Sequence, residues 1–473
     1  MALKPTLAKG TRDFGPLQVV KRNYIMDTMK NVFQTYGFMP LETPAMENLT
    51  TLEGKYGTEG DQLLFRILNS GDYLNALKEH TDSILADESK DPTFAPTPSG
   101  RLIDLDAKAA LPFISEKGLR YDLTVPFARF ITMHRHEITW PFKRYQIQPV
   151  WRADRPQKGR YREFWQCDAD IAGSESLVCE SDLIHIYHDV YTQLGMSEYI
   201  LKLSNRKVLA GIAQVVHSEA ALGTISVAID KLDKVGTESV QHELLQKGFT
   251  DEQCNNLFGI LSISGSNAEK LTQLESVLSA SEIGLKGINE LREVLTSCED
   301  VNVVIDFSLA RGLTYYTGCI VEVVYTKGSL KSSIGGGGRY DNLTGIFGMP
   351  GVSGVGISFG LDRIYDIMDE LSMFPSQLQA TGTRVLVCAM SADAMKSGMD
   401  AVKKLRAASV PAELYPDVKK LGKQLDYANA LKIPFAIIIG ENEIQTGEYT
   451  LKNLNEGTQQ SLIIEHIISQ LKS

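Results

Sequence analysis

The sequence predicts an α+β protein of several domains, and three observations carry that expectation. Two strand-like runs, 142–150 and 163–171, flank the turn-rich Pro156-Gln157-Lys158-Gly159-Arg160 and read as a long antiparallel hairpin with a basic tip. Across 205–298, Leu, Ala, Val, Glu and Lys recur at helical spacing between Gly and Ser breaks, as in a helical insertion. From Thr383 onward, strand and helix patterns alternate in the order β-α-β-α-β, which implies a small parallel sheet. A length of 473 residues is about three times a typical domain.

Pro16 opens a helix. Val20, Tyr24, Met29, Val32, Phe33 and Tyr36 recur at three- and four-residue steps, and Gly37 stands where a C′ glycine belongs. The extended segment 38–44 carries Pro40 and Pro44, which assign it to an edge or an interface. Residues 69–116 mix Asp, Glu, Lys, Pro and Ser with no sustained period and read as a surface excursion with one short helix near 73–87. The hairpin and the helical insertion follow. Beyond Val303, strand runs 319–325 and 355–359 flank Gly335-Gly336-Gly337-Gly338, either a flexible loop or a close backbone approach to a ligand. Leu361, Ile364, Tyr365 and Met368 then share one helical face. In the last unit, strands 385–389, 413–415 and 435–439 alternate with helices. Ser391 is placed to cap the first of these, with Met395, Met399, Val402 and Leu405 in its core.

The six cysteines are scattered and none forms a C-x-x-C pair, which argues against a disulfide framework and a zinc site and favours a reducing compartment. The longest apolar stretch, 433–439, is far short of the roughly 20 residues of a membrane span, and residues 1–16 contain no apolar signal. A cytoplasmic protein with no membrane partner is expected. The eight histidines show no ligand spacing; His185 and His188 stand three apart but nothing converges on them, so no metal is expected to be held by side chains. The net charge of −10 speaks against nucleic acid only if taken whole, because electrostatic footprints are local. Between Trp140 and Gln166, seven basic residues (Lys143, Arg144, Arg152, Arg155, Lys158, Arg160, Arg162) face only Asp154 and Glu163.

The chain has no G-x-x-x-x-G-K-[ST] phosphate loop, and no hydrolase nucleophile elbow is expected. If it uses ATP, separated arginines must hold the phosphates, because a guanidinium offers planar bidentate donors and stays charged. The order of three segments resembles the class II aminoacyl-tRNA synthetases. The helix and strand ending in Glu42-Thr43-Pro44 look like the first motif of that class, which usually forms a dimer interface. Pro149-Val150-Trp151-Arg152-Ala153-Asp154 with Tyr161-Arg162-Glu163-Phe164 looks like the second, and 354–363, ending in Leu361-Asp362-Arg363, like the third. Five further stretches are similar to histidyl-tRNA synthetases: Ala310-Arg311-Gly312-Leu313-Thr314-Tyr315-Tyr316, the hairpin tip 155–162, Phe164-Trp165-Gln166-Cys167-Asp168, 119–126 and Gly337-Gly338-Arg339-Tyr340-Asp341. The form Gln166-Cys167-Asp168-Ala169-Asp170 is closer to eukaryotic and archaeal members.

The resemblance implies a class II catalytic domain with an antiparallel sheet flanked by helices in two parts, 1–204 and 301–375. A helical insertion at 205–300 and a C-terminal α/β anticodon-binding domain at 376–473 complete it. It implies ATP and histidine as substrates, Mg²⁺ arriving with ATP, tRNA(His) as acceptor and a homodimer. Arg152 and Arg311 are the implied catalytic pair, converging on the α-phosphate and the histidine carboxylate. Arg363 is implied at the γ-phosphate with Arg160 also on ATP, and Phe164 against adenine. For histidine, Asp122, Thr124 and Gln166 are implied at the α-amino group, Asp170 and Tyr316 at the imidazole, with Tyr315 in the same pocket or in core packing. The tip 155–162 is implied to meet the tRNA acceptor end. Two features depart from the family: Asp154 stands where Glu is usual, and 69–116 exceeds the usual length. A histidine-binding regulatory relative and a synthetase for another amino acid are the competing readings; the presence of Arg152, Arg311 and Arg363 opposes the first and 311–316 the second.

Overall fold

A computed structural model describes residues 4–75, 77–79, 107–218, 221–309 and 316–472. Most of the helix expected near 73–87 lies outside them, and so do Arg311 and Tyr315. The chain forms two compact units, Met1–Arg12 with Tyr24–Met373 and Asp13–Asn23 with Phe374–Ser473.

In the larger unit the strands are β1 (Met39–Pro40), β2 (Met46–Asn48), β3 (Arg66–Ile67), β4 (Lys117–Leu119), β5 (Phe142–Trp151), β6 (Glu163–Ala172), β7 (Tyr199–Asn205), β8 (Val303–Ile305), β9 (Cys319–Tyr325), β10 (Gly335–Arg339) and β11 (Gly354–Gly360). Eight of them make one sheet in the order β1-β5-β6-β11-β10-β9-β7-β8, and β2-β4-β3 make a small second sheet. The predicted hairpin is β5–β6, paired antiparallel from Phe142↔Ala172 to Trp151↔Glu163. The proline-bearing segment forms the two-residue edge strand β1.

Side chains alternate across a pleated strand, and β6 uses that alternation to separate core from site. Cys167, Ala169 and Ile171 are fully buried on one face. Phe359, opposite Cys167 on β11, joins them. The helix Pro16–Thr35 brings Phe33 to 5.9 Å from Phe359, and the helix Val178–Gln193 brings Tyr187 and Tyr191 to 4.6 and 5.5 Å. Burying these rings against the sheet adds apolar stabilisation on this side. The other face of β6 carries Gln166, Asp168 and Asp170.

The glycine run is a central strand, not a loop. A side chain at Gly337 would place its Cβ 2.1 Å from the Gly356 carbonyl oxygen, and one at Gly338 would reach 2.7 Å from that of Cys319. Only glycine fits such a close approach. Residues 69–116 contain the helix Ala107–Ile114, which the sequence pattern did not show. Among the described residues of 205–300 the helical segments are Arg206–Val216, Leu222–Gln246 (broken by a kink at Gly236, φ +79°), Asp251–Leu261, Asn267–Val277 and Glu282–Thr296. Asn205, Thr250, Ser266 and Ser281 cap four of them with side-chain oxygens.

The smaller unit holds β12 (Val385–Ala389), β13 (Ala412–Leu414), β14 (Phe435–Ile439), β15 (Tyr449–Asn453) and β16 (Gln459–Leu462), in the order β13-β12-β14-β15-β16. The first three are parallel as expected; β15 and β16 add an antiparallel hairpin, so the sheet is mixed. Ser391 caps the helix Ala392–Ala407 by accepting from the Ala394 amide at 3.2 Å. Met399, expected in the core, is 53% exposed. Ala394, Gly398, Ala401 and Leu405 occupy the inward stripe instead, which turns position 399 outward.

Candidate active site

On the open face of the sheet, a cavity of ≈ 200 Å³ is lined by Arg152, Arg160, Phe164, Gln166 and Arg363 among others. Sequence positions 152 to 363 are thus gathered by β5, β6, β11 and the helix Leu361–Glu370 into one cleft. The Arg152 guanidinium lies 4.1 Å from the Tyr121 ring centre and 5.2 Å from that of Phe164, and its Nε donates to the Tyr121 carbonyl at 3.1 Å. Arg363 donates to the carbonyls of Gly159 (2.8 Å) and Ser333 (2.6 Å), which tie the third motif to the hairpin tip and to the segment before β10. Burial, and then the charges of Arg152 and Arg160, push the Arg363 pKa down. Like charges that close, with Arg152 and Arg363 only partly engaged by neutral carbonyls, make a site for an anion with several oxygens. Asp154, the shortened residue of the second motif, has its carboxylate 3.7 Å from Arg160.

Deeper along the same face, a smaller pocket is lined by Thr124, Asp168, Asp170, Tyr316, Tyr340 and backbone of β10 and β11; it shares Gly336 and Ser358 with the outer cavity. Asp170 is 2.9 Å from the wholly buried Arg144, and accepts from the Tyr340 hydroxyl at 2.5 Å. Its neighbour Asp168 is 2% exposed, and its Oδ1 has no hydrogen-bond partner. Burial pushes the Asp168 carboxyl pKa up; Arg144 opposes the shift and Asp170 adds to it. Asp122 accepts from the Tyr56 hydroxyl and the Val125 amide, both at 3.1 Å, and its Oδ2 is likewise buried and unpartnered. Gln166 donates through Nε2 to Ser358 at 3.0 Å and leaves Oε1 unpartnered. Buried acceptors without donors are costly, so they point to a ligand that brings N–H groups.

The structure therefore brings Arg152, Arg160, Phe164, Gln166 and Arg363 together in the outer cavity and Thr124, Asp170 and Tyr316 in the inner one. Asp122 lines neither cavity and stands beside Val125 and Tyr56. Sequence reasoning assigned no role to Asp168, Arg144 or Tyr340. A period-two count along β6 would have found Asp168, two residues from both Gln166 and Asp170. The letters G-x-S-x-G do occur, against expectation, at Gly356 to Gly360. Ser358 there lies inside β11, and no histidine lines either pocket, so the Ser–His arrangement of a hydrolase elbow is not formed. Among the described residues, no cluster of three or more His, Cys, Asp or Glu is arranged to hold a metal ion.

A sheet that is antiparallel except at its two edge pairs, with separated arginines beside a polar chamber, agrees with the resemblance to class II aminoacyl-tRNA synthetases. The family model for histidyl-tRNA synthetase matches residues 115–364, and that for an anticodon-binding domain matches 384–473. The histidine–tRNA ligase of Cytophaga hutchinsonii is 50% identical over 473 residues, 99% of each chain. That of Bacteroides fragilis (strain YCH46) is 50% identical over the whole of both chains. The crystal structure of histidyl-tRNA synthetase from Nostoc sp. PCC 7120 superimposes with a TM-score of 0.78 at 28% identity, covering 100% of this chain and 99% of that one. The chain belongs to the histidyl-tRNA synthetase family. Its activity is that of an aminoacyl-tRNA ligase for histidine.

Proposed function

We propose that the outer cavity binds ATP and the inner pocket binds histidine, so that histidyl-adenylate forms where the two meet and histidine then passes to the 3′ end of tRNA(His). The observation that carries this reading is the gathering of Arg152, Arg160 and Arg363 in one cavity that opens onto a chamber of buried carboxylates. The histidine carboxylate attacks the α-phosphate and pyrophosphate leaves; such chemistry depends on positioning and on charge stabilisation. Arg152, at the junction, holds the α-phosphate and the substrate carboxylate, with Arg311 facing it. Arg363 and Arg160 take the triphosphate tail, and Phe164 stacks on adenine. Mg²⁺ accompanies ATP and offsets phosphate charge. Gln166, Thr124 and Asp122 serve the α-amino group. Asp170, Tyr316 and Tyr315 serve the imidazole, and Asp168 offers its unpartnered oxygen to the same substrate.

A pocket that pairs both ring nitrogens rejects apolar amino acids by roughly 10⁴–10⁵, since its polar groups would otherwise be left unpaired. Residues 1–204 and 301–375 are assigned to catalysis, 205–300 to an insertion and 376–473 to the anticodon, whose unstacked bases can be read directly. The basic tip 155–162 meets the acceptor end. The edge strand β1 supports a homodimer through the first motif. No helix among the described residues is long and apolar enough to cross a membrane, which agrees with a cytoplasmic enzyme. ATP–pyrophosphate exchange with each amino acid in turn tests the reading. Exchange with histidine alone is expected; exchange with proline or threonine instead, or none at all, would reject it.

A further inference from the structure

The N-terminal segment around Arg12 belongs to none of the three motifs, yet it reaches residues of the second and third. The Arg12 guanidinium donates through Nη2 to Asp362 Oδ1 at 2.6 Å and through Nη1 to Asp366 Oδ1 at 3.0 Å. It also lies 3.5 Å from the centre of the Tyr161 ring. Tyr161 in turn donates its hydroxyl to Asp366 Oδ2 at 2.7 Å, and Asp362 Oδ2 accepts from the Trp165 amide on β6 at 2.9 Å. Two residues earlier, the Gly10 carbonyl accepts from the Arg162 amide at 2.9 Å. Gly10 has φ +88°, and a Cβ there would lie 2.8 Å from side-chain carbons of both Arg162 and Pro156. The segment is thus pressed onto the hairpin tip and, through one side chain, onto the helix Leu361–Glu370.

Both carboxylates that Arg12 holds flank Arg363 on that helix, one position before it and three after. Charges three apart on a helix are neighbours. Asp366 is therefore a natural partner for Arg363, and an Arg363 captured there could not serve phosphate. Arg363 is instead directed to the Gly159 and Ser333 carbonyls. The charges that act most strongly on it are Arg152 and Arg160, which lower its pKa, and not Asp362 or Asp366.

We infer that Arg12 is a positioning residue for ATP: it occupies Asp362 and Asp366 so that Arg363 stays aimed into the nucleotide cavity, and it braces Tyr161 at the hairpin tip. This rests on the assignment of Arg363 to the triphosphate.

The test is ATP–pyrophosphate exchange by the full chain, with the two Michaelis constants measured separately. Arg12→Ala is expected to raise KM for ATP by about tenfold, as loss of a charge-assisted pair does, with KM for histidine nearly unchanged. Adding Asp366→Asn to Arg12→Ala removes the competing charge while keeping an acceptor for Tyr161, and is expected to restore most of the ATP affinity. Arg12→Lys is expected to fall between. Gly10→Ala, which displaces the segment without touching the charges, is expected to move KM for ATP in the same direction. An unchanged KM for ATP in Arg12→Ala, an equal rise in both constants, or a further loss on adding Asp366→Asn would overturn the inference. Arg363→Ala run in parallel separates the two claims. If it leaves KM for ATP unmoved, the assignment of Arg363 fails; if it raises KM and Arg12→Ala does not, only the role of Arg12 fails.

Discussion

The outer cavity and the inner pocket share Gly336 and Ser358 yet carry opposite charge. The outer one gathers Arg152, Arg160 and Arg363; the inner one presents Asp168 and Asp170 with Arg144 buried behind them. The outer arginines are partly engaged by carbonyls, whereas the inner carboxylates include an oxygen with nothing to accept from. Under the proposed function, one polar sheet face divides the reaction between two sites: the positive charge serves a polyphosphate, and the negative charge serves an ammonium or an imidazole N–H. Arg152 lines the outer cavity, beside Phe164 and Tyr121.

If the division is real, substitutions on either side separate the two substrates. The largest effect is expected from Arg152→Ala: a loss of about 10²–10³ in kcat for adenylation, the size seen when one preorganised donor to a developing charge is removed. Single-turnover adenylate formation measures it, and a loss below tenfold would place Arg152 outside the reacting groups. Asp168→Asn comes next, with KM for histidine up by roughly tenfold, the cost of weakening one charged hydrogen bond, and KM for ATP unchanged. The pH profile sharpens this. A raised Asp168 pKa means that its carboxylate is present above that pKa and lost as pH falls through it, so histidine binding weakens on acidification. Because the substrate imidazole titrates too, the informative quantity is the difference between wild type and Asp168→Asn. That difference should shrink at low pH; a constant difference would remove Asp168 from substrate binding. Gly337→Ala probes the wall of the inner pocket. With a Cβ 2.1 Å from the Gly356 carbonyl oxygen, it is expected to cost about 1–3 kcal/mol in thermal or urea unfolding. Met399→Ala, exposed in the smaller unit, should change stability by less than about 0.5 kcal/mol.

Much of this division was legible in the sequence. The β5–β6 hairpin declared itself through two alternating runs and a charged turn, and its basic residues pointed to an anion. The three arginines were found through their motifs because each stands in an unusual local string. Other parts were hidden for physical reasons. A run of glycines has no strand propensity, so β10 is visible only through the neighbours that exclude side chains. The helix Ala107–Ile114 is short and contains Pro112, which erases its periodic signal. The β15–β16 hairpin was overlooked although Gly457 marks its turn with φ +74°. Met399 was misplaced because small residues, Gly398 and Ala401, took the inward positions that a hydrophobic count gives to methionine. Arg12 could not be connected to Asp362 by any local pattern, since 350 residues separate them. The segment from Gln166 to Asp170 resembles eukaryotic and archaeal members, yet the 50% identical relatives are from Cytophaga and Bacteroides, so it does not report lineage.

The most direct test is a crossed pair of titrations in ATP–pyrophosphate exchange, each varying one substrate, on Arg363→Ala and Asp168→Asn. The account predicts that Arg363→Ala raises KM for ATP alone and Asp168→Asn raises KM for histidine alone. If each variant shifts both constants equally, or if the pattern is reversed, the two pockets do not divide the substrates as their charges imply.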